Sequence, residues 1–335
     1  MKDEGFQMKK FTFIAMLMAF ILFLGACGSD TAKETEESKG STSGEATEET
    51  TEETSEESKS LTIEHELGQA TIEGTPEKVV VFDFGILDTL DELGVEVTGL
   101  PQANVPGYLE QYESDEFTNV GSLKEPDFEA IHELQPDVIF ISGRQAQLYD
   151  QFAEIAPTVY IPIDTTDYVE SFKENMNTVA EIFGKEDEMN TELEDIDSRI
   201  AAIQEKTAAS EEKALIVLGT QSKVSAYGPA SRFGLIHDVF GVEPADEGIE
   251  ASTHGQNITF EYILDTNPDI LYVIDRDAAI GEDSSVKESF ENDLVKKTNA
   301  YKNDNIHYLN GEYWYLSGGG LQSMKEMISE IEASF

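Results

Sequence analysis

One cysteine, one tryptophan and four arginines are all that 335 residues hold of those three types. The lone Cys27 excludes an internal disulfide, so the folded part must be held by its core alone. Positive charge is scarce: 22 Lys and Arg stand against 68 Asp and Glu, a formal net charge of −46. Such a chain repels nucleic acid and anionic membrane surfaces, which excludes both as partners. The five histidines, His65, His132, His237, His254 and His307, show no His-x-x-x-His spacing. No nucleophile, acid–base pair or metal cage stands out, so an enzyme is not expected, and neither a cofactor nor a protein-ligated metal is called for.

The ends read differently from the middle. Met8-Lys9-Lys10 precedes an apolar run over residues 11–24, too short to span a membrane stably and of the length of a signal-peptide core. It closes in Leu24-Gly25-Ala26-Cys27, which matches a bacterial lipoprotein signal. That match implies a signal peptide over 1–26, cleavage before Cys27, lipidation of its sulfur, and residence on the outer face of the cytoplasmic membrane, Gram-positive type. Asp3 and Glu4 are out of place in a basic leader, which makes Met8 a candidate start. Residues 29–60 carry eleven acidic residues, three lysines and no aromatic residue. They bury too little apolar surface to fold, so 27–60 is expected to be a disordered, charge-extended tether.

One pattern occurs twice. Glu129 precedes Pro136-Asp137 by the same interval as Glu261 precedes Pro268-Asp269, and Arg144 and Arg276 follow those prolines by the same interval. Each copy reads as a short helix with an acidic first turn, a break, a continuously apolar strand, and an arginine beyond the strand's carboxyl end. Continuously apolar strands between helices belong to parallel sheets covered on both faces, and ligands gather beyond the carboxyl ends of such strands. The expected fold is therefore α/β, with two Rossmann-like lobes, each a mainly parallel sheet flanked by helices and each offering an arginine to a shared cleft. A hairpin is expected at 61–72 and strands at 78–84, 97–100, 158–163, 214–219, 223–227 and 305–310. Helical stripes at 168–183 and 189–206 have no strand between them. These set the N-terminal lobe at 61–184, one long connecting helix at 185–209, whose run of about 22 residues would be about 33 Å long, and the C-terminal lobe at 210–335.

Residues 79–85, 120–127, 228–242 and 314–320, with the twin repeats and the lipoprotein signal, resemble the siderophore- and cobalamin-binding lipoproteins of ABC importers. From residue 61 onward, that resemblance implies the class III periplasmic-binding-protein fold and a monomeric receptor that delivers its ligand to an ABC permease and its ATPase. The implied ligand is a ferric catecholate siderophore, petrobactin or a relative, so the iron arrives already wrapped. It also implies that Arg144, Arg232 and Arg276 line the pocket, and that Glu129 and Glu261 face outward to dock on the permease. Guanidinium groups suit a bulky aromatic anion because they stay charged, fork onto oxygen pairs and stack on rings. Trp314, Tyr227 and Phe84 are the aromatic candidates for pocket lining, and Tyr313 and Tyr315 flank the first of them. The plainer alternatives are salt bridges from Arg144 to Asp137 or Asp150 and from Arg276 to Asp275 or Asp277, core packing for the aromatics, and helix-dipole pairing for the glutamates. Haem or cobalamin on the same fold is the competing ligand class. A direct zinc or manganese receptor would need several of the histidines to converge, and an adhesive role would need no cleft.

Overall fold

The structure, a computed structural model, describes residues 60–335. The predicted signal, Cys27 and nearly all of the tether lie outside the described residues.

The first half opens with an antiparallel hairpin, β1 (Ser60–His65) and β2 (Gly68–Glu73), in register from Ser60 opposite Glu73 to His65 opposite Gly68. It continues through β3 (Val79–Val81), α1 (Phe84–Glu92), β4 (Gly99–Leu100), β5 (Thr118–Asn119), α2 (Phe128–Leu134), β6 (Val138–Ile141), α3 (Tyr149–Ala153) and β7 (Thr158–Tyr160). The five strands from β3 onward form one sheet, in order β5-β4-β3-β6-β7, with every pairing parallel. All of β3 and β6 is buried, as uninterrupted apolar strands require. The expected strand at 78–84 is only three residues long, because Asp83 ends it: its Oδ1 accepts from the Gly85 and Ile86 amides at 2.9 and 3.1 Å and starts α1.

Two helices follow, α4 (Tyr168–Phe183) and α5 (Glu186–Ala208), separated by Gly184 in the left-handed conformation that glycine adopts without strain. The predicted stripe Met189, Leu193, Ile196, Ile200 and Ile203 is the buried face of α5. At 23 residues this helix is about 35 Å long and leads from the first sheet to the second.

The second half comprises β8 (Lys213–Gly219), β9 (Val224–Tyr227), α6 (Leu235–Asp238), β10 (Glu243–Pro244), β11 (Gln256–Ile258), α7 (Phe260–Thr266), β12 (Ile270–Asp275), α8 (Arg276–Ala279), α9 (Val286–Phe290), α10 (Asn299–Lys302), β13 (Ile306–Leu309) and α11 (Leu321–Glu332). Its six-stranded sheet runs β11-β9-β8-β12-β13, with β10 also on β8. Strands β8, β10, β12 and β13 are parallel, whereas β9 and β11 add antiparallel pairings at one side.

The repeats have a structural reason. In each, the Pro-Asp carboxylate receives the backbone that enters the neighbouring central strand: Asp137 Oδ2 accepts from Glu77 and Lys78 at 2.9 and 2.8 Å, and Asp269 Oδ2 from Lys213 at 3.2 Å. The helices before them end alike, in left-handed Gln135 and Asn267.

The final helix α11, assigned from sequence to 210–335, packs back on α1 and α5. The Leu321 amide donates to Thr89 Oγ1 at 3.0 Å and the Ser323 amide to Asp88 Oδ2 at 3.0 Å. Close approach requires glycine here: a Cβ on Gly320 would lie 2.1 Å from Asp88 Oδ1 and 2.3 Å from the Gly85 carbonyl. One apolar cluster therefore runs from Leu87 and Leu90 through Ile196 to Met324 and Ile328.

Candidate ligand-binding cleft

The second-half arginines are presented by two different loops. Arg276 is the first residue of α8, whose cap is Asp275; the Asp275 Oδ1 accepts from the Ala278 amide at 3.0 Å. Arg232 lies in the 228–234 loop, held by Asp238 Oδ2 on the Ala230 amide at 2.6 Å, with Ala230 at φ 54°. Both guanidinium groups reach Tyr315. Arg232 donates to the Tyr315 carbonyl at 2.6 Å and its carbon lies 4.2 Å from the ring centroid. Arg276 Nε donates to the Tyr315 hydroxyl at 3.3 Å, and its Nη1 to Asp277 Oδ1 at 3.0 Å. Of the plainer alternatives for Arg276, the ion pair with Asp277 is present.

Arg144 comes from the first half, in the turn after β6. That turn is fixed from beneath: Ser142 Oγ donates to Asp83 Oδ2 at 2.6 Å, and the buried Gln145 donates to the Leu123 carbonyl at 2.6 Å. Arg144 itself is exposed and pairs with no carboxylate among the described residues, Asp137 being committed to the β3 entry. Burial lowers the basicity of Arg232, and the Arg144 charge lowers it further. Cations from the two halves thus lie close enough to oppose each other's charge, a repulsion that an anion bound beside them would relieve. Burial pushes the Tyr315 phenol up, but the Arg276 hydrogen bond and both arginine charges outweigh it and bring the group below its ordinary value. Two hydrogen bonds bridge the gap: Thr165 Oγ1 to the Ala230 carbonyl at 3.3 Å, and the Gly107 amide to Glu312 Oε1 at 2.9 Å.

The aromatic candidates need correction. Trp314 is 4% exposed, and its indole N–H donates to Glu330 Oε2 at 2.6 Å. It belongs to the core because residues 312–316 form one wide helical turn, closed from the Ser317 amide to the Glu312 carbonyl at 3.0 Å, which turns Trp314 inward and Tyr315 to the arginines. Phe84 is buried in the first turn of α1. Tyr227 is buried with its ring 4.6 Å from Phe233, backing the Arg232 loop without opening to the gap. Tyr315, which the sequence reading weighed beside Trp314 but ranked behind it, is the aromatic of this stretch that reaches both arginines. Arg199, the fourth arginine, is half-buried and bonds Glu332 at 2.8 Å, tying α5 to α11.

Glu129 and Glu261 are exposed in the first turns of α2 and α7, and neither forms an ion pair among the described residues. Glu261 borders a surface hollow of about 400 Å³ lined also by Thr220, Lys223, Asn257 and Ser289. A second hollow of about 500 Å³, between the hairpin and α4, is lined by Glu64, Glu66, Asp164, Asp167, Glu170 and Glu174 and has the wrong sign for an anionic guest. No group of three or more His, Cys, Asp or Glu among the described residues is placed to hold a metal ion. No helix among them is long and apolar enough to cross a membrane.

An α/β molecule with two mainly parallel sheets, one long helix leading from the first to the second, and arginines of both halves brought near one another has the form of a receptor that captures a solute. The chain belongs to the periplasmic binding protein family, whose model matches residues 79–313. It is 47% identical over 329 residues to the petrobactin-binding protein YclQ of Bacillus subtilis, covering 97% of this chain and 98% of that one. The crystal structure of YclQ superimposes with a TM-score of 0.80 at 50% identity, covering 82% of this chain and 98% of the other. The ferric-anguibactin-binding protein FatB of Vibrio anguillarum is 35% identical over 277 residues, 81% of this chain and 86% of FatB. The catecholate-siderophore binding protein VctP of Vibrio cholerae gives a TM-score of 0.79 at 34% identity, over 82% of this chain and 100% of its own.

Proposed function

We propose that this protein is the extracytoplasmic receptor of an ABC importer that captures a ferric catecholate siderophore, petrobactin or a close relative, and delivers it for iron uptake. The observation that carries the reading is that Arg144 and Arg232, from opposite halves, lie close enough for their charges to oppose each other, while neither forms an ion pair among the described residues. A catecholate complex supplies the missing negative charge and flat rings, and Tyr315 offers a surface for stacking beside the guanidinium groups. In this reading Arg144, Arg232 and Arg276 grip the guest, Glu129 and Glu261 meet a basic surface of the permease, and Cys27 carries the lipid. The siderophore, not the protein, ligates the iron. The names of YclQ, FatB and VctP, all siderophore-binding proteins, support the ligand class, and YclQ supports petrobactin within it.

Titration of intrinsic fluorescence with ferric petrobactin, haem, cobalamin and Zn²⁺ tests the reading. Saturable quenching by the first alone is expected; saturation by haem or cobalamin without ferric petrobactin would overturn it. Glu129→Ala with Glu261→Ala is expected to leave ligand affinity intact and to stop uptake by cells, and weakened affinity would move these residues from docking to the fold.

A further inference from the structure

Asp88 is a fully buried carboxylate with no use in ligand contact. It sits on α1, and three elements converge on it: Tyr108 donates its hydroxyl at 2.9 Å, and the Gln322 and Ser323 amides at the start of α11 donate at 3.3 and 3.0 Å. Gly320 supplies no capping side chain, so Asp88 caps α11 from another element. At the start of α11 the Ser323 hydroxyl donates to the Ser317 carbonyl at 2.7 Å, and the Ser317 hydroxyl donates to the Glu312 carbonyl at 3.1 Å. That carbonyl closes the wide turn over 312–316, and the Tyr108 ring packs 4.8 Å from Tyr313 within it. Two connected paths therefore run from Asp88, one through Tyr108 to Tyr313 and one through Ser323 to Ser317, to the turn that aims Tyr315 at Arg232 and Arg276.

We infer that Asp88 is a positioning residue for the cleft, holding through Tyr108 and the start of α11 the turn that places Tyr315 between the two second-half arginines. A carboxylate suits this task because each oxygen accepts more than one hydrogen bond, whereas Asn in its place offers one accepting oxygen. The inference deepens the proposed ligand reading and rests on it only for the affinity readout. Burial raises the Asp88 carboxyl to about 7 against the pull of its donors, so its charge changes near neutral pH. The ionisable groups around it are Tyr108, Tyr168 of α4 and Tyr313, while on α1 Asp91 is taken by Tyr112. On α11, Lys325 is committed to Glu92 and Glu192, and Glu326 acts on Tyr313. Asp83 and Arg232 reach the same region through Tyr168. No cation pairs with Asp88 among the described residues, so the hydrogen bonds alone support its charge.

The experiment compares the full chain with Asp88→Asn and Tyr108→Phe, the second keeping the ring against Tyr313. Tyrosine is labelled with ¹³C at Cζ, and the Tyr315 signal is assigned with Tyr315→Phe. In the wild type, Tyr315 titrates below free tyrosine; in both variants its midpoint is expected to move back towards that of free tyrosine. Affinity for ferric petrobactin is expected to fall about tenfold, the size of one hydrogen bond to a charged group. The affinity difference between wild type and Asp88→Asn should also vary across neutral pH. A Tyr315 midpoint unchanged in folded variants would overturn the inference. If Asp88→Asn does not fold, Tyr108→Phe decides alone. A wild type that ignores ferric petrobactin while its Tyr315 midpoint still follows Asp88 would sink the ligand reading and leave this inference standing.

Discussion

Three arginines do different work despite their common charge. Arg144 is exposed and unpaired among the described residues, so Arg144→Ala is expected to weaken ferric siderophore binding by about 1.5–3 kcal/mol without lowering the melting temperature. Arg232→Ala is expected to cost a similar affinity, because the anionic guest loses one of its cationic contacts. Arg276→Ala should lower the melting temperature as well, since it leaves Asp277, 4% exposed in its side chain, with the Gln221 amide at 2.7 Å as its other partner. Calorimetric titration and thermal melts of the three variants separate these outcomes. Trp314→Phe is expected to destabilise by about 1–3 kcal/mol while leaving affinity intact, because it strips the half-buried Glu330 of its indole donor. A loss of affinity at unchanged stability would return Trp314 to the cleft.

Secondary elements show what the sequence could and could not reveal. Strands β6 and β12 were legible because continuous apolar runs bounded by Pro-Asp have few other readings, and the stripe of α5 follows directly from helical spacing. Arg232 entered only through the family resemblance, whereas the positions of Arg144 and Arg276 beyond those strands were legible because both follow at the same interval. Trp314 and Tyr315 were not, since one residue of extra winding in the 312–316 turn exchanges inward and outward faces, and no residue type announces it. Strand β9, expected at 223–227, folds back on β8 as a tight hairpin, whereas β11 pairs with β9 from about 30 residues further on and has no local pattern that announces it. Gly320 is another such case: its backbone is ordinary, and only the nearness of Asp88 and Gly85 forbids a side chain. Gly320→Ala is therefore expected to destabilise by about 1–3 kcal/mol or more by forcing α1 and α11 apart. A thermal melt equal to the wild type would show that the contact yields easily.

The whole molecule responds to pH and salt in ways that follow from its charges. Asp88 is raised when folded to about 7 from an ordinary 3.8, so between those values the folded chain binds more protons than the unfolded one. Its contribution is present below about pH 4 and lost as pH rises through about 7. The melting-temperature difference between wild type and Asp88→Asn should fall over that window, and a constant difference would contradict it. The net charge of −46 sets up a long-range repulsion of any anionic guest that the local arginines must overcome. Raising salt from about 20 to about 200 mM shortens the Debye length from about 20 Å to below 10 Å. The association rate for a ferric siderophore, measured by stopped flow, is therefore expected to rise with salt, and a fall would mean that the arginine field dominates at a distance.

Because Leu321, Met324, Met327, Ile328 and Ile331 are buried in the cluster that α11 shares with α1 and α5, order of synthesis and order of assembly diverge. A polypeptide made from its amino end carries an unfinished opening half until the last dozen residues arrive. Losing those five side chains forfeits about 1.5–3 kcal/mol apiece, comparable with the entire stability of a typical domain. A premature stop just before residue 321 should therefore yield no partial receptor, only a chain destined for degradation.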